Sequence, residues 1–108
     1  MPELSTIFAA LGDPTRFAIV ERLIRDGEQP AGELLDAGPV SAPAISRHLK
    51  VLRKAGIVTQ RVDRQRRIYA VRPEAVQSIG AWTMSHREFW QGSLDRLELA
   101  LQQESERK

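Results

Sequence analysis

The residues with the clearest chemical pattern are the basic side chains between positions 41 and 72. This stretch has nine Lys or Arg and a single acidic residue, Asp63, whereas the rest of the chain has seven basic and thirteen acidic residues. Such an asymmetry indicates a face that docks an anionic partner. A solvated basic surface without a partner is the alternative. The nine cations are Arg47, Lys50, Arg53, Lys54, Arg61, Arg64, Arg66, Arg67 and Arg72.

Catalytic chemistry has no comparable pattern. Ser46 and His48 are two residues apart, so on a helix they point to nearly opposite sides and cannot act as a nucleophile and its base. The chain has no cysteine, which excludes disulfides, thiolate metal ligands and thiol redox switches. With no phosphate-binding loop either, we expect no enzymatic activity.

Three helical segments are predicted ahead of the basic stretch. Apolar residues at i, i+3, i+4 and i+7 predict a first short helix. Asp13 followed by Pro14 is a strong start signal for a second helix, which ends near Gly27. A third, short helix is expected from Pro30 to Asp36. The first helix has the apolar stripe Leu4, Ile7, Phe8 and Leu11, and the second is expected to bury the stripe Phe17, Val20, Leu23 and Ile24.

The basic stretch itself predicts a helix followed by a β-hairpin. Ser41 is a good N-cap for a helix from Ala42 to about Lys54, with Ala55-Gly56 as its end. Two strands follow at 57–62 and 67–71, joined by a tip at 63–66. The buried positions of this helix are Ile45, Leu49 and Leu52, and its outward positions include Ala42, Pro43, Ser46, Arg47 and Lys50.

A long last helix is expected over 72–104. At 1.5 Å per residue it would span about 45 Å, and a body of some 70 residues cannot cover so long an apolar stripe. We therefore expect one domain over 1–108 that forms a homodimer through its first and last helices. The interface residues predicted on the last helix are Ile79, Trp82, Phe89, Trp90, Leu94, Leu97 and Leu101, beside those of the first.

The order of these elements is that of a winged helix-turn-helix, and the residues resemble one family. The motifs are Gly12-Asp13-Pro14-Thr15-Arg16, the run from Ser46 to Leu52, Ala55-Gly56-Ile57-Val58, and the Arg-rich tip before Tyr69. Together they resemble the ArsR/SmtB repressors over about residues 4–100. The resemblance implies a mainly α fold with a hairpin wing, dimeric through the first and last helices, whose fourth helix enters the major groove. The chain departs from the family pattern at the tip, where no Gly follows Asp63.

The DNA contacts expected from this resemblance agree with the chemistry of the residues. Arg47 can bind guanine O6 and N7 together, Ser46 can reach a base edge or a phosphate, and Lys50 and Arg53 suit phosphates. The wing arginines would bind backbone or minor groove, or else only blunt an exposed strand edge. The full predicted DNA-binding set is Ser41, Ala42, Pro43, Ser46, Arg47, His48, Lys50, Arg53, Arg64, Arg66 and Arg67.

Two side chains in this region are open to more than one interpretation. His48 is interpreted as a packing or hydrogen-bonding residue at the domain surface, with a phosphate contact as the alternative. Tyr69 is interpreted as wing packing rather than as a base-stacking residue.

No metal or other cofactor is expected. The family's thiolate site would fall on Glu33-Leu34-Leu35-Asp36, and on the last helix only His86 is available, with Glu88 pointing elsewhere. A zinc site needs three or four convergent ligands.

The overall prediction is a transcriptional regulator that represses by binding a palindromic operator. The alternatives are a repressor controlled by a small apolar effector between the last helices, near Trp82, Phe89 and Trp90, and a protein-interaction module that does not bind DNA. The first residues do not form a signal peptide and no apolar run is long enough to span a membrane, so a cytoplasmic location is expected.

Overall fold

The computed structural model describes residues 3–106. In chain order the elements are α1 (Leu4–Leu11), α2 (Pro14–Asp26), β1 (Gln29–Pro30), a 3₁₀ helix (Ala31–Ala37), α3 (Ala42–Lys54), β2 (Val58–Asp63), β3 (Arg66–Val71), α4 (Pro73–Ser85) and α5 (Arg87–Glu106). The chain divides into two units, of which the first ends at Ser78 and the second begins at Ile79, within α4. Mostly helical with one small antiparallel sheet, the fold is the winged helix-turn-helix that the sequence predicts.

The start of α2 follows from its capping residues. The Asp13 carboxylate accepts the backbone N–H groups of Thr15 at 2.9 Å and Arg16 at 3.0 Å, and Pro14 occupies the first turn, where its missing N–H costs nothing. The helix ends at Gly27, whose φ of 78° lies in the left-handed region.

The buried face of α2 differs in part from the prediction. The residues it buries are Ile19, Val20 and Leu23, whereas Phe17 and Ile24 are 50% and 56% exposed. Phe17 lies two residues before Ile19, which places the two about 200° apart around the helix. The prediction that Phe17 and Ile24 are buried was therefore wrong.

The sheet has three strands rather than the two expected. β2 and β3 form an antiparallel hairpin, with Asp63 opposite Arg66 and a two-residue loop between them. Arg64 in that loop has a φ of 61°, so it takes the left-handed conformation for which a Gly would be favoured. β1 adds the third strand along β3, with Gln29 opposite Tyr69. A two-residue strand containing Pro carries no sequence signal.

The core of the first unit fixes α3 in place. Apolar side chains from α1, α2, the 3₁₀ helix, α3 and the start of the hairpin are completely or almost completely buried: Ile7, Ile19, Leu34, Ile45, Leu49, Leu52 and Ile57. Ile7 was predicted as a dimer contact, but it has no exposed surface even in the single chain. Ile7 is therefore a core residue, and that part of the prediction was wrong.

The predicted long last helix is interrupted at His86, so it is two helices, α4 and α5. The side-chain hydroxyl of Ser85 donates to the carbonyl of Trp82 at 2.7 Å, and His86 Nδ1 lies 2.8 Å from the same oxygen. The backbone N–H of His86 bonds to Thr83, three residues back rather than four. Side chains that compete for a helical carbonyl are a common cause of such breaks. The prediction of a continuous helix over 72–104 was therefore wrong.

Candidate nucleic-acid interface

The sequence determines which face of α3 is exposed. The Ser41 hydroxyl accepts the N–H of Ala44 at 3.4 Å and caps the helix, with Pro43 in its first turn. Ile45, Leu49 and Leu52 recur at helical spacing and are all buried, as predicted. The opposite face is exposed and consists of Ala42, Pro43, Ser46, Arg47 and Lys50. Its small residues at the helix N-terminus allow close approach to a ligand, although Pro43 has no N–H and the N–H of Ala44 is already bound to Ser41.

Two cations on this exposed face are available for a ligand. Within residues 3–106, neither Arg47 nor Lys50 has an ion pair or a side-chain hydrogen bond. An arginine with no internal partner keeps all five N–H donors for a base edge or a phosphate.

Arg53, one turn beyond Lys50, is oriented differently. Its guanidinium donates to the side-chain oxygen of Gln60 on β2, so it joins α3 to the hairpin. The sequence predicted Arg53 as a phosphate contact. The Arg53 side chain is exposed, but part of its hydrogen-bonding capacity is used within the chain.

At the tip of the hairpin the three predicted arginines are all exposed, although they are not equivalent. In the described part of the chain Arg64 and Arg67 have no acidic partner, whereas Arg66 Nη2 lies 3.9 Å from the Asp63 carboxylate. Arg64 and Arg67 are therefore the cations that a phosphate could bind without competition.

Arg61, on the same hairpin, is already neutralised. Its Nη2 and Nε lie 2.6 Å and 3.2 Å from the two carboxylate oxygens of Glu28, a bidentate pair across 33 residues of sequence. Hydrogen bonding to Glu28 raises the pKa of Arg61, and the guanidinium lowers the pKa of Glu28. The basic stretch therefore contains fewer free cations than its composition suggests.

His48 does not lie on the exposed face with Arg47. Its ring nitrogen Nδ1 lies 3.4 Å from Arg16 Nη1 and 3.9 Å from the Asp13 carboxylate, both at the start of α2. Only about 20% of the imidazole is exposed. This geometry agrees with the hydrogen-bonding interpretation and argues against His48 as a member of the DNA-binding set.

Tyr69 is also turned inward. It is only 6% exposed and lies on β3 between the other two strands. A buried ring cannot stack on a base, so Tyr69 packs within the sheet.

Comparison with known proteins identifies the family to which this fold belongs. The family model for a helix-turn-helix domain matches residues 11–61. An HTH-type transcriptional regulator of Mycobacterium tuberculosis is 47% identical over 65% of the chain and 64% of its own length, and one of Methanocaldococcus jannaschii is 37% identical over 68% and 82%. The crystal structure of an ArsR family transcriptional regulator superposes with a TM-score of 0.73 at 31% identity, covering 82% of this chain and 96% of that one. The chain belongs to the ArsR/SmtB family. As an ArsR/SmtB protein it is a DNA-binding transcriptional regulator, a class without enzymatic activity.

Among positions 3–106, no three His, Asp or Glu side chains converge as a metal site would require. Over the same positions, no helix is both long enough and apolar enough to cross a membrane.

Two residues that arrange the side chains of this candidate nucleic-acid interface, Glu28 and Arg16, were not predicted from the sequence. Glu28 neutralises Arg61, and Arg16 faces His48; neither pairing is visible at the spacings that sequence patterns test. Arg16 does belong to the Gly12–Arg16 motif that carries the family resemblance, which was the one available signal.

Proposed function

We propose that the protein binds an imperfect palindromic operator as a homodimer and represses transcription by covering the promoter. The observation that carries this proposal is the exposed face of α3, on which Arg47 and Lys50 have no partner among residues 3–106 while the opposite face is buried in the core. A helix held in this way can enter the major groove without rearranging.

The exposed cations of α3 and of the wing have two different roles in DNA recognition. Arg47 lies in the middle of the exposed α3 face, where a guanidinium can bind guanine O6 and N7 bidentately. Lys50 lies one turn further on and, with Arg64 and Arg67 of the wing, suits phosphate oxygens. Phosphate contacts fix the register of the protein on the duplex, and the base contact supplies the sequence preference.

The homodimer is supported by α5. None of the residues from Arg87 to Glu106 is buried, yet the helix has large apolar side chains that are about half exposed. Trp90, Leu94, Leu97 and Leu101 are spaced by four, three and four residues, which places them along one side of the helix. An exposed stripe of this kind on a small domain marks an interaction surface, and twofold pairing with a second copy is the commonest way to cover it.

Selection of DNA from a library of random duplexes tests the proposal. The protein should enrich two inverted half-sites whose centres are about one helical turn apart, because two α3 helices related by a twofold axis reach successive major grooves. Enrichment of no sequence, or of one half-site without an inverted copy, would contradict the proposal. Light scattering on the same protein determines whether the chain is a dimer.

A further inference from the structure

Three helices of the first unit meet around the guanidinium of Arg16, near the start of α2. Its Nε donates to the carbonyl of Ala10, near the end of α1, at 2.7 Å. Its Nη1 lies within hydrogen-bonding distance of His48 Nδ1 on α3, at 3.4 Å. One side chain therefore joins the end of α1, the start of α2 and the helix with the exposed cationic face.

The contact with α1 fixes one end of this link. The carbonyl of Ala10 is among the last four of the helix, which have no partner within it. A cation that donates there is favoured both by the hydrogen bond and by the helix dipole. The Arg16 side chain is only partly exposed, so the bond is shielded in part from water.

The contact with α3 fixes the other end. Because arginine can only donate, a hydrogen bond from Nη1 requires His48 Nδ1 to be unprotonated and to accept. The Asp13 carboxylate lies 3.9 Å from this nitrogen and already accepts two backbone N–H groups of α2. His48 directly follows Arg47, so any rotation of α3 moves both side chains together.

We propose that Arg16 is a positioning residue for DNA recognition: it sets the rotation of α3 about its own axis through His48, and so the direction of Arg47. The inference rests on the proposed function, in which α3 enters the major groove. The apolar contacts of α3 hold the helix against the core but have no preferred direction, whereas the hydrogen bond from a guanidinium held at Ala10 is directional and selects one rotation. A lysine keeps the charge but has one nitrogen and no planar fork, so it cannot reproduce this geometry.

The replacement Arg16→Lys tests the proposal on two duplexes, the one that the wild-type protein selects from a random library and a scrambled duplex of the same composition. Fluorescence anisotropy should show a dissociation constant about three- to tenfold higher for the selected duplex, the loss expected for one hydrogen bond. The scrambled duplex should bind within about twofold of wild type, because the phosphate contacts remain. An equal loss on both duplexes, or no loss on the selected one, would overturn the proposal.

Variants of His48 keep the test decisive if Arg16→Lys lowers the melting temperature. In His48→Asn the amide oxygen replaces the accepting Nδ1, whereas His48→Leu keeps apolar bulk without an acceptor. The Asn variant should retain the preference for the selected duplex and the Leu variant should lose it. The double variant Arg16→Lys/His48→Leu should be no worse than either single one. Equal defects of Asn and Leu, or additive losses in the double variant, would show that the link has no positioning role.

Arg47→Ala, measured on the same two duplexes, separates this inference from the proposed function. If Arg47→Ala leaves the preference for the selected duplex intact, base reading by α3 fails and the role of Arg16 fails with it. If Arg47→Ala lowers the preference and Arg16→Lys does not, the proposed function stands and only the role of Arg16 is refuted.

Discussion

Removal of Arg67 from the wing should make the salt dependence of DNA binding shallower. Each phosphate contact releases counterions, and the logarithm of affinity falls with the logarithm of salt concentration by about 0.9 per contact. Lys50, Arg64 and Arg67 have no internal partner in the described residues. Three contacts per protomer give six in a dimer, so the wild-type slope should be about −5.4 and that of Arg67→Ala about −3.6.

The difference is large enough to measure directly. Between 50 and 200 mM salt, wild-type affinity should fall by about 2000-fold and that of Arg67→Ala by about 150-fold. Anisotropy titrations at four or five salt concentrations give both slopes, on the selected and on a scrambled duplex alike.

The matched control removes an arginine that the structure shows to be neutralised. The double variant Glu28→Ala/Arg61→Ala eliminates the bidentate ion pair that Arg61 of the same hairpin makes with Glu28, without changing the net charge. Its slope should equal that of wild type. If Arg67→Ala also keeps the wild-type slope, or if the control lowers it as much, the assignment of free and neutralised cations is refuted.

Four further predictions follow from the same structure. Arg47→Ala should lose about 1–3 kcal/mol of discrimination at one symmetric pair of base pairs, measured by competition between the selected duplex and singly substituted ones; an equal loss on every sequence would make α3 an anchor only. Leu97→Glu should be a monomer near 12.2 kDa by light scattering and should lose operator binding, and a dimer that persists would refute the interface on α5. The backbone N–H of Arg16 holds the pKa of Asp13 below its ordinary value of 3.8, so the cap of α2 stabilises the fold fully above about pH 4 and is lost as the pH falls through the lowered pKa. The melting temperature of Asp13→Asn should therefore depend less on acid pH than that of wild type, and identical pH dependences would contradict this. Added zinc or a chelator should change operator affinity by less than about twofold, whereas a tenfold effect of stoichiometric zinc would reveal a site that the ligand geometry did not predict.

Elements with local signals could be predicted from the sequence. α3 begins and ends where expected because Ser41 caps it and because Ile45, Leu49 and Leu52 repeat at helical spacing. α2 begins where expected because Asp13 and Pro14 are strong start signals, but the choice between two neighbouring apolar stripes depends on what packs against the helix. Phe17 and Ile24 were assigned to the wrong side for that reason.

Features that depend on side-chain partners could not be predicted. The break at His86 arises because Ser85 and His86 both approach the carbonyl of Trp82, and nothing in the apolar pattern marks it. The same holds for the proposed DNA contacts. The amino-acid composition does not distinguish Arg61 from Arg67, because only the folded chain brings Glu28 beside Arg61.

In the proposed complex, α3 reads base edges through Arg47 while the wing binds phosphates. Substitution of single guanines by 7-deazaguanine in the selected operator tests it most directly, because it removes the N7 acceptor and leaves the base pair and the phosphates unchanged. We expect one guanine per half-site at which the substitution weakens wild-type binding and has no effect on Arg47→Ala. If no guanine distinguishes the two proteins, Arg47 does not read the major groove and the proposed mode of DNA binding is wrong.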